Sequence, residues 1–182
     1  MLFRSKNARS IVVAAFFDNE EVGSGTKQGA ASTFLYDVLH RIAQSLGGSG
    51  NAHAVAGVLL TCVGLDDHTL VHVGAVVHIG VLRVVGVHGM SVAAARELAA
   101  RAGVPLQYFA NRSDKVGGST LGNLAMAQVS MNCVDIGLPQ LAMHSCYETA
   151  GAEDTLSLIK LMQELYGSHF EETAFGTLSI SK

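Results

Sequence analysis

Two adjacent carboxylates, Glu20 and Glu21, stand in the segment Asp18-Asn19-Glu20-Glu21, directly after the apolar run from Ser10 to Phe17. Ligands of open α/β sheets sit beyond the carboxyl ends of strands, so this position suits a reactive site. Neighbouring carboxylates repel unless a cation or a proton intervenes. One could therefore ligate a metal while the other takes a proton from a metal-bound water. The same residue types also describe a solvated acidic turn. His144, in Met143-His144-Ser145, follows Val134 to Pro139, which reads as a strand and a turn; it is either a ligand or a histidine satisfied by its surroundings. His68, His72, His78 and His88 crowd the stretch from Val55 to Met90. The offset between His68 and His72 puts both on one face of a helix or a strand, as a metal would require. No further ligand set accompanies them, and scattered histidines in a Val-Gly sheet account for them better than a metal site does. Gly23-Ser24-Gly25-Thr26-Lys27 lacks the spacing of a phosphate-binding P-loop. Ser24, Ser113, Ser119 and Ser145 all lie outside a GxSxG context, which disfavours serine hydrolysis.

The elements that must position these groups follow from periodicity. Ser10 to Phe17 is a continuous β-branched and aromatic run, which predicts a strand buried on both faces. After a glycine-spaced loop, Phe34, Leu35, Val38, Leu39, Ile42 and Leu46 recur at helical spacing, with Ser32 or Thr33 as cap and Gly47-Gly48 as stop. Val55 to Met90 predicts two or three short buried strands. Ser91 to Ala102 predicts a helix ended by Gly103 and Pro105, and Leu106 to Ala110 a short strand. Asn111 to Gly122 is dense in turn formers. Asp154 or Thr155 caps a last helix that runs to Gly167. Strands interleaved with helices predict an α/β fold, a sheet flanked by helices.

The 182 residues suit about one domain. A net charge of −3 without a basic block disfavours nucleic-acid partners. Charged residues make up 15%, against about 25% in ordinary soluble chains. Part of the surface is thus expected to be covered by another chain, in a homo-oligomer. Cys62, Cys133 and Cys146 form neither a disulfide framework nor a CxxC site, which fits a reducing, cytoplasmic setting. Met1 to Lys6 lacks the apolar segment of a secretory signal. Leu70 to Val87 is too polar for a membrane span, since it carries Arg83, His72 and His78.

Three motifs together carry a resemblance. They are Asp18-Asn-Glu-Glu-Val-Gly-Ser24 with Thr26-Lys-Gln-Gly-Ala30, then Asn111-Arg-Ser-Asp114 with Gly117-Gly-Ser-Thr-Leu-Gly122, and Val134-Asp-Ile-Gly-Leu-Pro-Gln-Leu-Ala-Met-His-Ser145. In order and context they resemble the aspartyl aminopeptidase family of zinc metalloaminopeptidases, over roughly residues 7–55 and 91–166. The resemblance implies a zinc exopeptidase catalytic domain in a large cytosolic homo-oligomer. It implies a two-zinc site that releases N-terminal Asp or Glu from peptides. By the same resemblance Glu20 is the general base that activates the metal-bound water, Glu21 and His144 are ligands to one zinc, and His53 and Ser119 lie near the substrate.

The chain also departs from the family pattern. The family's upstream His ligand and metal-bridging Asp have no counterpart before Glu20. Its liganding Asp and second His near His53 fall on Gly50 and Ala56. Residues 56–90 show no family motif. The expectation is therefore a single partial metallopeptidase domain over residues 1–182, truncated at its N-terminus, with ligands for at most one zinc and without activity of its own. One alternative is a non-catalytic relative that serves as an oligomeric interaction or assembly subunit. Another is a site rebuilt with Asp66, Asp67, His68 or His72.

Overall fold

The computed structural model describes residues 13–18, 24–45, 58–62, 82–85, 89–109, 114, 121–142 and 145–182. Its helices are α1 (Phe34–Ser45), α2 (Gly89–Ala102), α3 (Leu121–Gln128) and α4 (Asp154–Gly167). Its strands are β1 (Val58–Cys62), β2 (Leu82–Val85), β3 (Leu106–Phe109), β4 (Asn132–Gly137), β5 (Gln140–Leu141), β6 (Thr149–Ala150), β7 (His169–Ala174) and β8 (Thr177–Ser181). The main sheet has the order β1-β4-β2-β3. β1 runs parallel to β4, with Thr61 opposite Asp135. β2 runs antiparallel on the other side, with Val85 opposite Asp135, and β3 runs parallel to β2. β5–β6 and β7–β8 are separate two-stranded ribbons.

Burial of β4 follows from its position between two strands and between helices on both sides. Residues 133–137 are all buried, and strand alternation divides them between the two faces. Val134 and Ile136 join Ala95, Leu98 and Ala99 of α2 and Leu161 and Leu165 of α4 in the larger core. Cys133 and Asp135 point the other way, to Gly122 of α3. Beyond α3 a smaller core joins Leu35 and Leu39 of α1 to Ala125 and Val129. Each fully buried leucine of the larger core contributes about 1.5–3 kcal/mol of transfer free energy.

Several elements stand where periodicity put them. α1 starts at Phe34, whose amide donates to Ser32 Oγ at 3.2 Å. The Thr33 carbonyl accepts the first helical bond, from the Asp37 amide at 2.9 Å, so Ser32 and Thr33 share the cap. α2 is Ala-rich and ends in a Schellman turn: Gly103 adopts φ 66°. There the Val104 amide donates to the Ala99 carbonyl at 2.9 Å and the Gly103 amide to the Ala100 carbonyl at 3.2 Å. β1 and β2 supply two strands from the Val55–Met90 stretch.

Three local expectations need correction. Residues 13–17, the described part of the first apolar run, form no strand. Ala15 and Phe17 pack against the smaller core, while Phe16 is 88% exposed. Residues 13–17 are thus covered on one side, and no ladder partner stands beside them among the described residues. Asp154 is not the cap of α4: Glu153 holds that position, without a side-chain cap bond. Asp154 is buried one position further in, where its carboxylate accepts the Gly151 amide at 3.1 Å. The turn-rich segment ends earlier than Gly122, since α3 already begins at Leu121. The β7–β8 ribbon, which turns at Phe175 and Gly176, was not anticipated; Arg101 ties it to α2 by donating to the Ile180 carbonyl at 3.2 Å.

Candidate functional site

Glu20, Glu21, His53, Ser119 and His144 all lie outside the described residues, as do Asp66, Asp67, His68 and His72. The structure describes the frame on which three of the candidate segments are mounted, and each part of that frame has a local physical cause.

The segment with Glu20 and Glu21 is held at both ends by the turns that precede α1. On its entering side the Asp18 amide donates to the Gln28 carbonyl at 3.2 Å, and on its leaving side the Ser24 carbonyl accepts from the Ala31 amide at 3.2 Å. Ser24 is buried and takes φ 58°, in the left-handed region that costs a residue with a Cβ free energy. Gly29 makes the clasp possible: a Cβ there would stand 2.1 Å from the Ser24 carbonyl oxygen. The Ser32 hydroxyl closes the turn by donating to the Gly29 carbonyl at 2.7 Å.

His144 is approached from β4. The chain leaves the strand at Gly137 and passes through β5. At Ala142 it takes φ 53°. The Ser145 amide donates to the Ala142 carbonyl at 3.0 Å, so the residues on either side of Met143-His144 are hydrogen-bonded to each other.

Ser119 precedes α3, whose start is fixed by β4. Asp135 Oδ1 accepts the Gly122 amide at 3.1 Å. A Cβ on Gly122 would lie 2.5 Å from that oxygen and 2.8 Å from Cys133 Sγ, so helix and strand approach closely only because the residue is glycine. Burial, and then the charge of Asp135, push the Cys133 thiol from 9.0 up to about 12. Cys133 is thus an inert thiol in the native fold. Asp135 and Gly122 belong to the quoted motifs, yet nothing in their spacing assigns them to each other. An acid within an apolar strand was the available signal.

Carboxylate and imidazole are apt donors for zinc, but a catalytic zinc takes three protein ligands and a water. The sequence offers Glu21 and His144 for two of these positions. Among the described residues no group of three His, Cys, Asp or Glu side chains could hold a metal ion. Two open clefts flank α2, one bordered by Arg96 and Tyr108 and the other by Met90 and Leu178. Among the described residues no helix is long and apolar enough to cross a membrane.

Comparison with known proteins fits this frame. The chain is 37% identical over 181 residues to the "Probable M18 family aminopeptidase 2" of Clostridium acetobutylicum, covering 91% of this chain and 42% of that protein. It is 35% identical over 182 residues to the "Aspartyl aminopeptidase" of Caenorhabditis elegans, covering 91% of this chain and 37% of that protein. The chain thus spans less than half the length of these relatives. The solved aminopeptidase dodecamer of Saccharomyces cerevisiae superposes with a TM-score of 0.64 at 25% identity, over 82% of this chain and 36% of that one. The profile of the family described as "Aminopeptidase I zinc metalloprotease (M18)" matches residues 2–68 and 52–166, two stretches that overlap and together run through residues 56–90. The α/β frame with its motifs in family order, and a family match over most of its length, make this chain a member of the M18 family of aminopeptidase I zinc metalloproteases.

Proposed function

We propose that this chain carries part of the catalytic domain of a metal-dependent aminopeptidase that releases N-terminal acidic residues from peptides. In this assignment Glu20 is the general base, Glu21 and His144 bind zinc, and His53 and Ser119 face the substrate. The observation that carries it is the extent of the family match: residues 2–68 and 52–166 include every one of these positions. The acidic preference takes its support from the relative named an aspartyl aminopeptidase. When bound, zinc would polarise a water and lower its pKa, and the Glu20 carboxylate would receive the proton. With two ligand positions filled, the chain alone is expected to bind at most one zinc.

A homo-oligomer belongs to the same proposal. Phe16, Tyr147 and Phe175 are 88%, 83% and 103% exposed, and Leu156 and Ile159 of α4 also face outward. Surfaces of this kind favour burial against another chain, and the related yeast enzyme was solved as a dodecamer. An assembly subunit without catalysis would use the same surfaces and would differ in ignoring zinc.

Zinc titration of the purified chain tests the ligand assignment. Expected is one site at most, lost in Glu21→Gln and in His144→Ala while the circular dichroism spectrum is unchanged. Zinc uptake that neither substitution alters would remove both residues from the metal site, and no uptake at all would favour the assembly subunit.

A further inference from the structure

We propose that Asp135 is a positioning residue, which caps α3 from the neighbouring strand and so sets Ser119 relative to the strand that leads to His144. The inference rests on the proposed roles of Ser119 and His144. The geometry beneath it is independent of them.

Asp135 is 1% exposed. A buried carboxylate in mid-strand is costly unless hydrogen bonds and a favourable field compensate it. The Gly122 amide supplies one such bond at 3.1 Å. Gly122 is the second residue of α3, so its amide is one of the first four that a helix leaves without an internal partner. The positive end of the helix dipole then faces the carboxylate. An ordinary cap comes from the residue just before the helix, whereas this one comes from a strand 13 residues downstream. β4 thereby takes part in fixing the start of α3. The missing side chain of Gly122 permits the approach, with Asp135 Oδ1 and Cys133 Sγ occupying the space a Cβ would need.

Covalent connectivity carries the consequence outward. Ser119 lies three residues before Gly122, and His144 nine residues after Asp135. A single carboxylate therefore links the proposed substrate contact to the strand that leads to the proposed metal ligand. Loss of the cap should move the substrate side and leave the metal side in place.

The test uses the full chain with hydrogen exchange read by mass spectrometry, in wild type, Asp135→Ala, Asp135→Asn and a Cys133→Ala control. Loss of a buried charged cap should raise exchange in residues 121–128 about tenfold in Asp135→Ala. Residues 154–167 should not respond. Asp135→Asn keeps an acceptor oxygen but loses the charge and should raise exchange in α3 only about two- to threefold, and the control should resemble wild type. A peptide with an N-terminal aspartate, titrated with zinc present, should bind about tenfold more weakly to Asp135→Ala and recover in Asp135→Asn, with zinc uptake equal in all. Unchanged exchange in α3, equal acceleration of α3 and α4, or undiminished peptide affinity in Asp135→Ala would overturn the proposal. If Asp135→Ala does not fold, Asp135→Asn decides: a two- to threefold rise confined to α3 supports the cap, and no rise refutes it. Absence of peptide binding by the wild type would count against the proposed function, and the exchange result would then decide the cap by itself.

Discussion

The two faces of β4 are built from alternate residues of one strand and serve different ends. One face presents Val134 and Ile136 to Leu98 and Leu161, an apolar contact that many side chains share. The other presents Cys133 and Asp135 to Gly122, a contact that includes a hydrogen bond to the helix start and needs a missing Cβ. Apolar packing is proportional to area and tolerates repacking. The polar contact has a single geometry. Stability is therefore concentrated on the first face, and the indexing of the candidate site on the second.

The largest effect should come from the apolar face. Leu98→Ala and Leu161→Ala each remove a fully buried side chain and should cost about 2–5 kcal/mol, seen as a lower urea midpoint with an unchanged slope. A loss well under 1 kcal/mol would mean that the larger core does not carry the stability assigned to it.

Gly122→Ala sharpens the contrast on the other face, because it adds a single methyl group. Its Cβ would meet Asp135 Oδ1 and Cys133 Sγ, for an expected cost of about 1–3 kcal/mol. A neutral result would show that helix and strand can part without penalty.

Alkaline titration comes next. The Cys133 thiol is raised from 9.0 to about 12 in the fold by burial first and by Asp135 second. Below pH 9 both folded and unfolded chains keep the proton. Between about 9 and 12 the unfolded chain releases it and the folded chain does not, so stability falls as pH rises through this window. Cys133→Ala should flatten that fall in denaturant melts taken across the window. In native protein exposed Cys146 should be alkylated well before buried Cys133, and equal rates would contradict the burial.

The smallest effect belongs to the surface of α2. Glu97 and Arg101 pair at 2.8 Å with both side chains partly exposed, and Glu97→Gln should change stability by less than about 1 kcal/mol.

α1 and α2 were legible in the sequence because their signals are local: an apolar stripe in the first, and alanines closed by Gly103 in the second. α3 was not, since its eight residues, Leu-Gly-Asn-Leu-Ala-Met-Ala-Gln, have little amphipathic pattern and are held by a cap from elsewhere. β7 was missed for a related reason: His-Phe-Glu-Glu-Thr-Ala does not alternate cleanly and its pairing is irregular between Glu172 and Ala174. The first apolar run misled in the opposite sense, because strand propensity is realised only where a neighbour completes the ladder. In the candidate site, Glu20, Glu21 and His144 were legible as motif positions. The tie between Asp135 and Gly122 was not, because no local pattern encodes a bond between residues 13 apart that depends on the packing of a helix against a strand.

If the proposed function holds, this chain carries an incomplete aminopeptidase site on a frame that folds. Aminopeptidase turnover on an N-terminal aspartyl substrate, measured on the purified chain with zinc added and with Glu20→Gln as control, tests it most directly. The expected result is a folded chain that binds at most one zinc and releases no aspartate. Two zincs per chain, with turnover that Glu20→Gln abolishes, would contradict it and show that the missing ligands are supplied within these residues.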